Sequence, residues 1–367
     1  MADDTKRYHR LQLILGVLGL AVTIVYFVVI LLVGLGPAVA GWADDLSGAL
    51  AWRVAAVAAA IAIGQALVTF PLAWLRGYRL PKRHGLIHQT LRAWLTDRLK
   101  AALIGGTLGL LAVEIVYALM ATTPLWWLAA AGVLIALEVV VAFVFPVWLL
   151  PLFYRLTPLS DEHMREGVVD LVSKAGIPVV GVWVADQSRK GRTANAALAG
   201  IGHTRRVILF DTLVARFAPD EVRAVLAHEL GHHVHHDVWR MLALQAGLTV
   251  LALWLGDVLL RAGAAWWGWQ APWDPAGLPW LVVVVSALGL VTAPLVNAFS
   301  RRIERQADDF ALELTGDAPA FVGAMERLAD LNLAERKPHR LKELLLYSHP
   351  SIERRILAAT ASQRRAR

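Results

Sequence analysis

The sequence predicts a mainly α-helical, polytopic membrane protein with a smaller cytoplasmic α+β domain. Of its 367 residues, 57% are hydrophobic and 18% charged, whereas about a quarter of the residues are charged in an average soluble domain. The apolar residues also gather into six runs, each long enough for the roughly 20 helical residues that cross a bilayer. Cysteine is absent, which excludes disulfides, thiolate nucleophiles and Cys-ligated metal sites.

The predicted spans form a group of four and a later pair. They cover residues 11–35, 54–75, 101–120, 125–153, 241–260 and 278–299. The first run is too long for the core of a signal peptide, so we expect it to remain as an anchor. The fourth run is longer than a bilayer requires, and Pro146 and Pro151 are expected to kink or end it.

The basic residues predict the orientation of these spans. The net charge of +7 would suggest a nucleic-acid partner in a soluble protein. Here, however, 34 of the 36 Lys and Arg residues lie on one side of the predicted spans, which indicates topology and removes the main support for nucleic-acid binding. By the positive-inside rule both termini are cytoplasmic. Tryptophans expected in an interfacial belt lie on the other side: Trp126, Trp127, Trp266, Trp267, Trp269, Trp273 and Trp280.

The chain divides into four predicted units: a four-span region (1–153), a cytoplasmic segment (154–240), a two-span hairpin (241–300) and C-terminal cytoplasmic helices (301–367). In the cytoplasmic units, the patterns predict helices at 160–175 (with Ser160 as N-cap), from Pro219 onward, and at 301–315, 318–333 and 351–361, and strands at 179–184, 193–200 and 206–210. Four ionisable residues fall in or beside spans and suggest a polar interior: Arg53, Glu114, Glu138 and Asp257.

A metal-binding pattern lies in the helix that begins at Pro219. His228 and His232 are separated by one helical turn, so both imidazoles can reach one zinc ion, and Glu229 is placed to hold a water on that ion. A chance HExxH match is the alternative. The histidines that follow, His233, His235 and His236, are interpreted as solvated residues at the end of the helix, and Asp237 as a candidate of the wrong geometry or register for a further ligand.

A catalytic zinc site needs a third protein ligand and an open position. Glu304 and Asp308 lie one turn apart on a predicted helix, so Glu304 is a candidate ligand and Asp308 a candidate to orient a ligand histidine. Glu304 as an ordinary solvated residue among arginines is the alternative. Two predicted spans separate His232 from Glu304, and two crossings return the chain to the side that it left.

Several separated motifs resemble the membrane gluzincin metalloproteases typified by the type I CAAX prenyl proteases. They occur in order between residues 76 and 355 and include KRHG at 82–85, NA at 195–196, VILFDTL at 207–213, HELGH at 228–232, NAFSRR at 297–302, ERQAD at 304–308 and SHP at 348–350. The chain differs from the eukaryotic members in having one fewer predicted N-terminal span and a shorter segment before HExxH. The aspartate shortly after the motif, Asp237, is more similar to what the bacterial heat-shock branch of the same superfamily has there.

The resemblance implies an integral-membrane zinc endopeptidase with one Zn²⁺, bound by His228, His232 and Glu304, and with Glu229 as catalytic base. It implies that Asn195 and Ala196 lie on an edge strand that pairs with the substrate backbone. It further implies that His349 stabilises the oxyanion. Arg354 is expected either to support the site in binding substrate or to pair with an acidic neighbour.

The substrate is less defined than the chemistry. A prenylated CAAX protein is one expected substrate, and a damaged membrane protein, cleaved in quality control, is the alternative. Usage rich in Ala, Leu and Arg indicates a high-GC bacterium and hence its cytoplasmic membrane. A metal transporter or sensor is a different class of function, in which residues 233–237 would form a loading site and Glu114, Glu138 and Asp257 a path for the metal. A catalytically inactive relative is a further alternative.

Overall fold

The computed structural model describes residues 2–200, 204–269 and 271–366. Within these residues, six helical stretches are long and apolar enough to cross a membrane, as predicted from the sequence. The first four lie in the N-terminal part of the chain, and the other two follow the soluble segment. The N-terminal helices are α1 (Ala2–Leu32), α2 (Leu35–Leu46), α3 (Leu50–Trp74), α4 (Leu80–Arg83), α5 (Leu91–Thr122) and α6 (Trp126–Val144).

The fourth span is shorter than the sequence predicts. Helix α6 ends at Val144, and a π-helical turn (Phe145–Leu149) and a 3₁₀ turn (Leu150–Leu152) continue the chain. Pro146 and Pro151 lie in these two turns, and proline lacks the N–H that regular α-helical bonding uses. The expectation that these prolines end the span is therefore confirmed, although the apolar run continues beyond it.

The soluble segment contains a four-stranded mixed sheet with strand order β1-β2-β4-β3. Its strands are β1 (Leu156–Pro158), β2 (Val182–Ala185), β3 (Ala196–Ala199) and β4 (Arg206–Phe210). Strands β2 and β4 are parallel, and β1 and β3 pair antiparallel at the two edges. Three strands were predicted. The missed strand, β1, has three residues and ends in proline, which is too short for an alternating pattern.

Helices cover this sheet and complete the soluble domain. They are α7 (Glu162–Lys174), α8 (Asp211–Arg216), α9 (Pro219–Val234), α12 (Ala318–Leu331), α13 (Arg340–Leu346) and α14 (Ile352–Ala366). The prediction that Ser160 caps α7 is wrong. Asp161 is the N-cap, because its carboxylate accepts a hydrogen bond from the backbone N–H of Met164 at 3.0 Å.

Two long helices connect the membrane region to the soluble domain: α10 (Asp237–Trp267) and α11 (Leu278–Thr315). Helix α11 has 38 residues and is therefore about 57 Å long, whereas the hydrocarbon core of a bilayer is about 30 Å thick. We take its first part, up to Phe299, as the span. The remainder lies against α9, where Ala307 and Ala311 are fully buried.

Two of the ionisable residues singled out in the spans hold helices together. The carboxylate of Asp257 accepts a hydrogen bond from the indole N–H of Trp126 at 2.7 Å and pairs with Arg261. The guanidinium of Arg53 lies 3.6 Å from Asp44 and 3.8 Å from Asp274. Glu138 differs, because it lines a cavity between α6, α10 and α11.

Candidate metal centre

Helix α9 carries the HExxH residues on a firmly packed frame. Its side chains Val222, Leu226 and Leu230 are fully buried in the core of the soluble domain. On the opposite side, Gly231 lies so close to α11 that an added Cβ would be 3.0 Å from the Cα of Ala307. This close approach brings the histidine face of α9 against the part of α11 that carries Glu304.

Three potential metal ligands converge between α9 and α11. The Nε2 atoms of His228 and His232 are 3.2 Å apart. The carboxylate of Glu304 lies 3.3 Å from the first of these atoms and 3.7 Å from the second. All three side chains offer a ligand atom within 4.8 Å of the others. The structure thus brings together the residues that the sequence predicts as ligands.

The donor set fits a zinc ion. Zinc bonds to imidazole nitrogen and carboxylate oxygen are about 2.0–2.2 Å long, so two ligands of a tetrahedral ion are about 3.3 Å apart. The three observed separations are close to this value. Two neutral imidazoles and one carboxylate are also a donor set known from catalytic zinc sites, in which a fourth position stays open.

Two carboxylates orient the two imidazoles. Asp308 lies 2.9 Å from Nδ1 of His228, and Asp237 lies 2.9 Å from Nδ1 of His232. Each carboxylate accepts the Nδ1–H of its histidine and leaves Nε2 free to bind a metal. Arg355 pairs with Asp308, with Nε at 2.9 Å, and Arg240 pairs with Asp237 at 2.7 Å. Both histidines are therefore held by a carboxylate that is itself held by an arginine.

The electrostatics of this cluster favour positive charge among the three donors. Burial disfavours the protonated imidazole of His228, but the carboxylates of Asp308 and Glu304 outweigh it and raise the pKa to about 9. Burial likewise opposes the charged form of Glu304, yet hydrogen bonds from His228 and His349 hold its pKa far below the usual range. A metal cation bound between these groups would take the place of this proton next to the same carboxylates.

Glu229 faces a cavity of about 560 Å³ that opens beside the cluster. Residues of β3 (Ala197 and Leu198) and of α10 (Met241 and Leu242) line this cavity with His232 and Glu304. Burial raises the pKa of Glu229 above its ordinary value, and the neighbouring histidines oppose that shift. A carboxyl group with a raised pKa next to a metal site is suited to take up and return a proton.

Strand β3 forms one edge of the sheet, and Asn195 directly precedes it with an exposed side chain. The carbonyl of Asn195 accepts a hydrogen bond from the N–H of Phe210 at 3.0 Å. Since antiparallel pairing alternates, the backbone groups of Ala196 and Leu198 face the free edge. The side chain of Ala196 is buried in the core, so its backbone alone is available to a partner.

The His-Pro segment near the C-terminus contributes His349 and Arg355. His349 is 60% exposed, and its Nδ1 lies 2.8 Å from the carboxylate of Glu304. Arg354 does not reach the cluster. Its guanidinium pairs with Glu343 at 3.5 Å, which is the second of the two arrangements expected from the sequence. The neighbouring Arg355 contacts both Asp308 and His228 instead.

Sequence reasoning therefore missed two residues of the site, Asp237 and Arg355. Asp237 follows His236, which has a left-handed backbone with φ of 57° and turns the chain from α9 into α10. This turn brings the Asp237 carboxylate back to His232. The usable signals were the aspartate five residues after the second histidine and the adjacent pair of arginines after His-Pro.

Comparison with known proteins identifies the family to which the chain belongs. Residues 158–363 match the model of Peptidase family M48. Residues 2–155 match a model described as "CAAX prenyl protease N-terminal, five membrane helices". Among its described residues, this chain fills that region with four candidate spans and the short helix α2.

Relatives and a solved structure extend the match along the chain. The uncharacterised metalloprotease YhfN of Bacillus subtilis is 27% identical over 356 residues, which cover 96% of this chain and 83% of YhfN. CAAX prenyl protease 1 of Saccharomyces cerevisiae is 28% identical over 315 residues, covering 80% of this chain and 68% of that protein. The crystal structure of S. mikatae Ste24p has the same fold, with a TM-score of 0.85 at 23% identity, over 97% of this chain and 88% of that one.

The first family model alone covers more than half of the chain, and the resemblance inferred from the motifs is confirmed. The assignment favours a peptidase over a metal transporter or sensor, since the matched relatives are named as proteases. The chain belongs to peptidase family M48 and is a multi-pass membrane metalloendopeptidase.

Proposed function

We propose that this chain is a zinc-dependent endopeptidase that cleaves extended peptide segments at the cytoplasmic face of a bacterial membrane. One observation carries the proposal: the donors of His228, His232 and Glu304 meet at a cavity whose wall includes edge strand β3. The bias of Lys and Arg to one side supports the orientation, and the match to YhfN of Bacillus subtilis supports the bacterial origin.

The residues at the cavity have separate tasks in this proposal. A bound zinc ion supplies Lewis acidity and lowers the pKa of a water molecule. Glu229 takes the proton of the attacking water and delivers it to the leaving amine. His349 donates a hydrogen bond to the carbonyl oxygen as negative charge develops on it. Asp308 and Asp237 keep the Nδ1–H of the two ligand histidines in place.

Substrate binding is assigned to the free edge of the sheet. The exposed Asn195 and the backbone of Ala196 pair with the main chain of an extended substrate, which lies across the cluster. We propose a prenylated C-terminal CAAX segment as the substrate class, because relatives from several eukaryotes carry the name CAAX prenyl protease 1. The division into four units along the chain is part of the same proposal.

The experiment compares the purified wild type with Glu229→Ala in detergent, on a farnesylated CAAX peptide and its unprenylated twin. Glu313→Ala, an exposed residue on α11, is the matched control. We expect cleavage of the farnesylated peptide by wild type and control, and none by Glu229→Ala. Equal, Glu229-dependent cleavage of both peptides contradicts the CAAX substrate and supports a broad quality-control protease. Cleavage that survives Glu229→Ala contradicts the assigned base.

Metal analysis tests the ligands independently of activity. We expect about one zinc per chain in the wild type and in Glu229→Ala, because Glu229 holds a water rather than the metal. His228→Ala is expected to lose the zinc. Full zinc content in purified, folded His228→Ala contradicts the ligand assignment.

A further inference from the structure

A second cavity, of about 490 Å³, lies among the membrane helices α6, α10 and α11 and adjoins the metal cavity. Gln245 of α10 lines both cavities. On α6, Glu138 lines the second cavity and Ala142, one turn further, lines the metal cavity. On α11, Asn297 and Ser300 are related in the same way. All three helices therefore lead from one cavity to the other.

Glu138 places a carboxyl group in the wall of this second cavity, and no described residue of that wall offers it a cationic partner. One carboxylate oxygen accepts a hydrogen bond from the hydroxyl of Thr249 at 3.2 Å. The other oxygen is buried and has no hydrogen-bond partner in the part of the chain that the structure describes. No Lys or Arg occurs among the described residues that line the cavity. A carboxylate within a membrane span is costly unless it pairs with a cation or faces water.

The rest of the cavity wall is mainly apolar, with Leu248, Leu288 and Val296 among its residues. A cavity with apolar walls and one carboxylate is complementary to a side chain with an aliphatic stem and a cationic end. Lysine and arginine have this build and bury their stems against apolar surfaces. A farnesyl chain would cover the walls but would leave the carboxylate without a partner.

We propose that the second cavity is a substrate subsite that selects a Lys or Arg side chain, with Glu138 as its counter-charge. This inference rests on the proposed peptidase function and specifies which segments that site accepts. In this proposal Glu138 contacts a substrate side chain and takes no part in the chemical step, because it lies away from the metal cluster. It is therefore a specificity-determining residue.

The helices set the distance between the subsite and the scissile bond. Seven residues separate Asn297, which lines the subsite, from the metal ligand Glu304 on the same helix. At about 1.5 Å per residue this is about 10 Å along α11. An extended peptide covers about 3.3 Å per residue, so the selected basic side chain lies about three residues from the scissile bond.

A peptide library tests the preference directly. Purified zinc-loaded protein in detergent digests a library of farnesylated peptides, randomised at about ten positions around the farnesylated cysteine, and mass spectrometry locates each cleaved bond. We expect Lys and Arg to be enriched about three positions from the cleaved bond, on one side of it. Glu138→Gln should abolish the enrichment, and Glu138→Lys should replace it by enrichment of Asp and Glu. Glu114→Gln, a matched change on α5 outside both cavities among the described residues, should keep the wild-type pattern.

Two library results overturn the inference: no enrichment of basic residues within four positions of the cleaved bond, or the same enrichment in Glu138→Gln. Enrichment of apolar residues at these positions would assign the cavity to an alkyl chain instead. If no peptide is cleaved in a Glu229-dependent manner, the proposed function fails, and a binding measurement decides the inference separately.

The binding measurement uses two fluorescent peptides that differ only in lysine or norleucine at the selected position. In a Glu229→Gln background we expect the lysine peptide to bind about tenfold more tightly, a typical scale for a partly buried charge pair. Adding Glu138→Gln should remove the difference, whereas adding Glu114→Gln should keep it. Equal binding of the two peptides in the Glu229→Gln protein contradicts the subsite even if cleavage is never observed.

Discussion

Replacement of Asp237 by asparagine tests whether the carboxylate beside His232 tunes the metal site. Asp237 is 3% exposed, and one of its oxygens lies 2.9 Å from Nδ1 of His232. Its other oxygen accepts a hydrogen bond from Arg240 at 2.7 Å. Asparagine keeps the size of the side chain and one oxygen that accepts the Nδ1–H, but it removes the negative charge and replaces the oxygen that accepts from Arg240 by an NH2 group, which cannot accept that hydrogen bond. His232 should therefore keep its orientation and become a weaker base at Nε2.

The geometry sets the size of the effect. Loss of a partner that orients a ligand histidine typically lowers metal affinity by about 10–100-fold. Because asparagine still accepts the hydrogen bond, we expect Asp237→Asn near the lower end, at about 10-fold, or about 1.4 kcal/mol. Asp237→Ala also removes the hydrogen bond that His232 donates, so it should approach about 100-fold.

The assay is a zinc competition titration of metal-free protein against a chromophoric chelator, with thermal unfolding in detergent as a check of folding. Asp309→Asn is the matched control, since Asp309 is exposed on α11 next to Asp308. Asp308→Asn should weaken zinc binding as Asp237→Asn does, because the two carboxylates hold the two histidines in the same way. A zinc affinity of Asp237→Asn within twofold of the control would refute the orienting role.

Four further predictions concern other parts of the site. Arg355→Ala should lower zinc affinity about tenfold in the same titration, because Asp308 loses its ion pair. Arg354→Ala should have little effect, because Arg354 pairs with Glu343 instead. A larger loss of zinc affinity in Arg354→Ala than in Arg355→Ala would contradict the role given to Arg355. Gly231→Ala should destabilise the fold by about 1–3 kcal/mol, since the added Cβ lies 3.0 Å from the α11 backbone. Gly247→Ala is the control, because a Cβ at that position has no atom within 4 Å and should leave the thermal unfolding unchanged. Apparent zinc affinity, measured by chelator competition, should rise between pH 6.5 and about 9. The reason is that His228, with a pKa of about 9, must lose its proton to bind metal. A zinc affinity that does not change over this pH range would contradict the prediction. The metal-free fold should show the opposite trend: the raised pKa stabilises it fully below pH 6.5, and this contribution is lost as the pH rises through about 9.

The spans and the convergence of the three candidate ligands were predictable because each depends on a strong pattern. Runs of about 20 apolar residues are rare outside membranes, so the number of spans followed from composition along the chain. His228 and His232 lie on the same face of their helix however that helix packs, because they are four residues apart. Glu304 is distant in sequence, but an even number of intervening spans returned it to the side of the histidines. The assignment of its role is still a prediction.

The features that were missed depend on local geometry, such as which of two adjacent residues of similar chemistry makes a contact. Ser160 and Asp161 are both good N-cap residues, and the fold uses the second. Arg354 and Arg355 differ by about 100° around a helix, and the sequence does not reveal which of them faces Asp308. Asp237 reaches His232 through the left-handed turn at His236, and histidine gives little indication of that conformation.

The continuity of α11 couples the metal centre to the membrane. Pro294 lies inside the helix, yet the helix runs unbroken from Leu278 to Thr315. Glu304 is thus attached to a span without a flexible connection, and the Asn297 amide on the same helix donates a hydrogen bond to the carbonyl of Leu345 at 2.8 Å. A shift of this span along its axis must move Glu304 relative to the histidines of α9. Since metal–ligand distances vary by only about 0.2 Å, an ion bound by the three proposed ligands would in turn hold α11 in one register with the soluble domain.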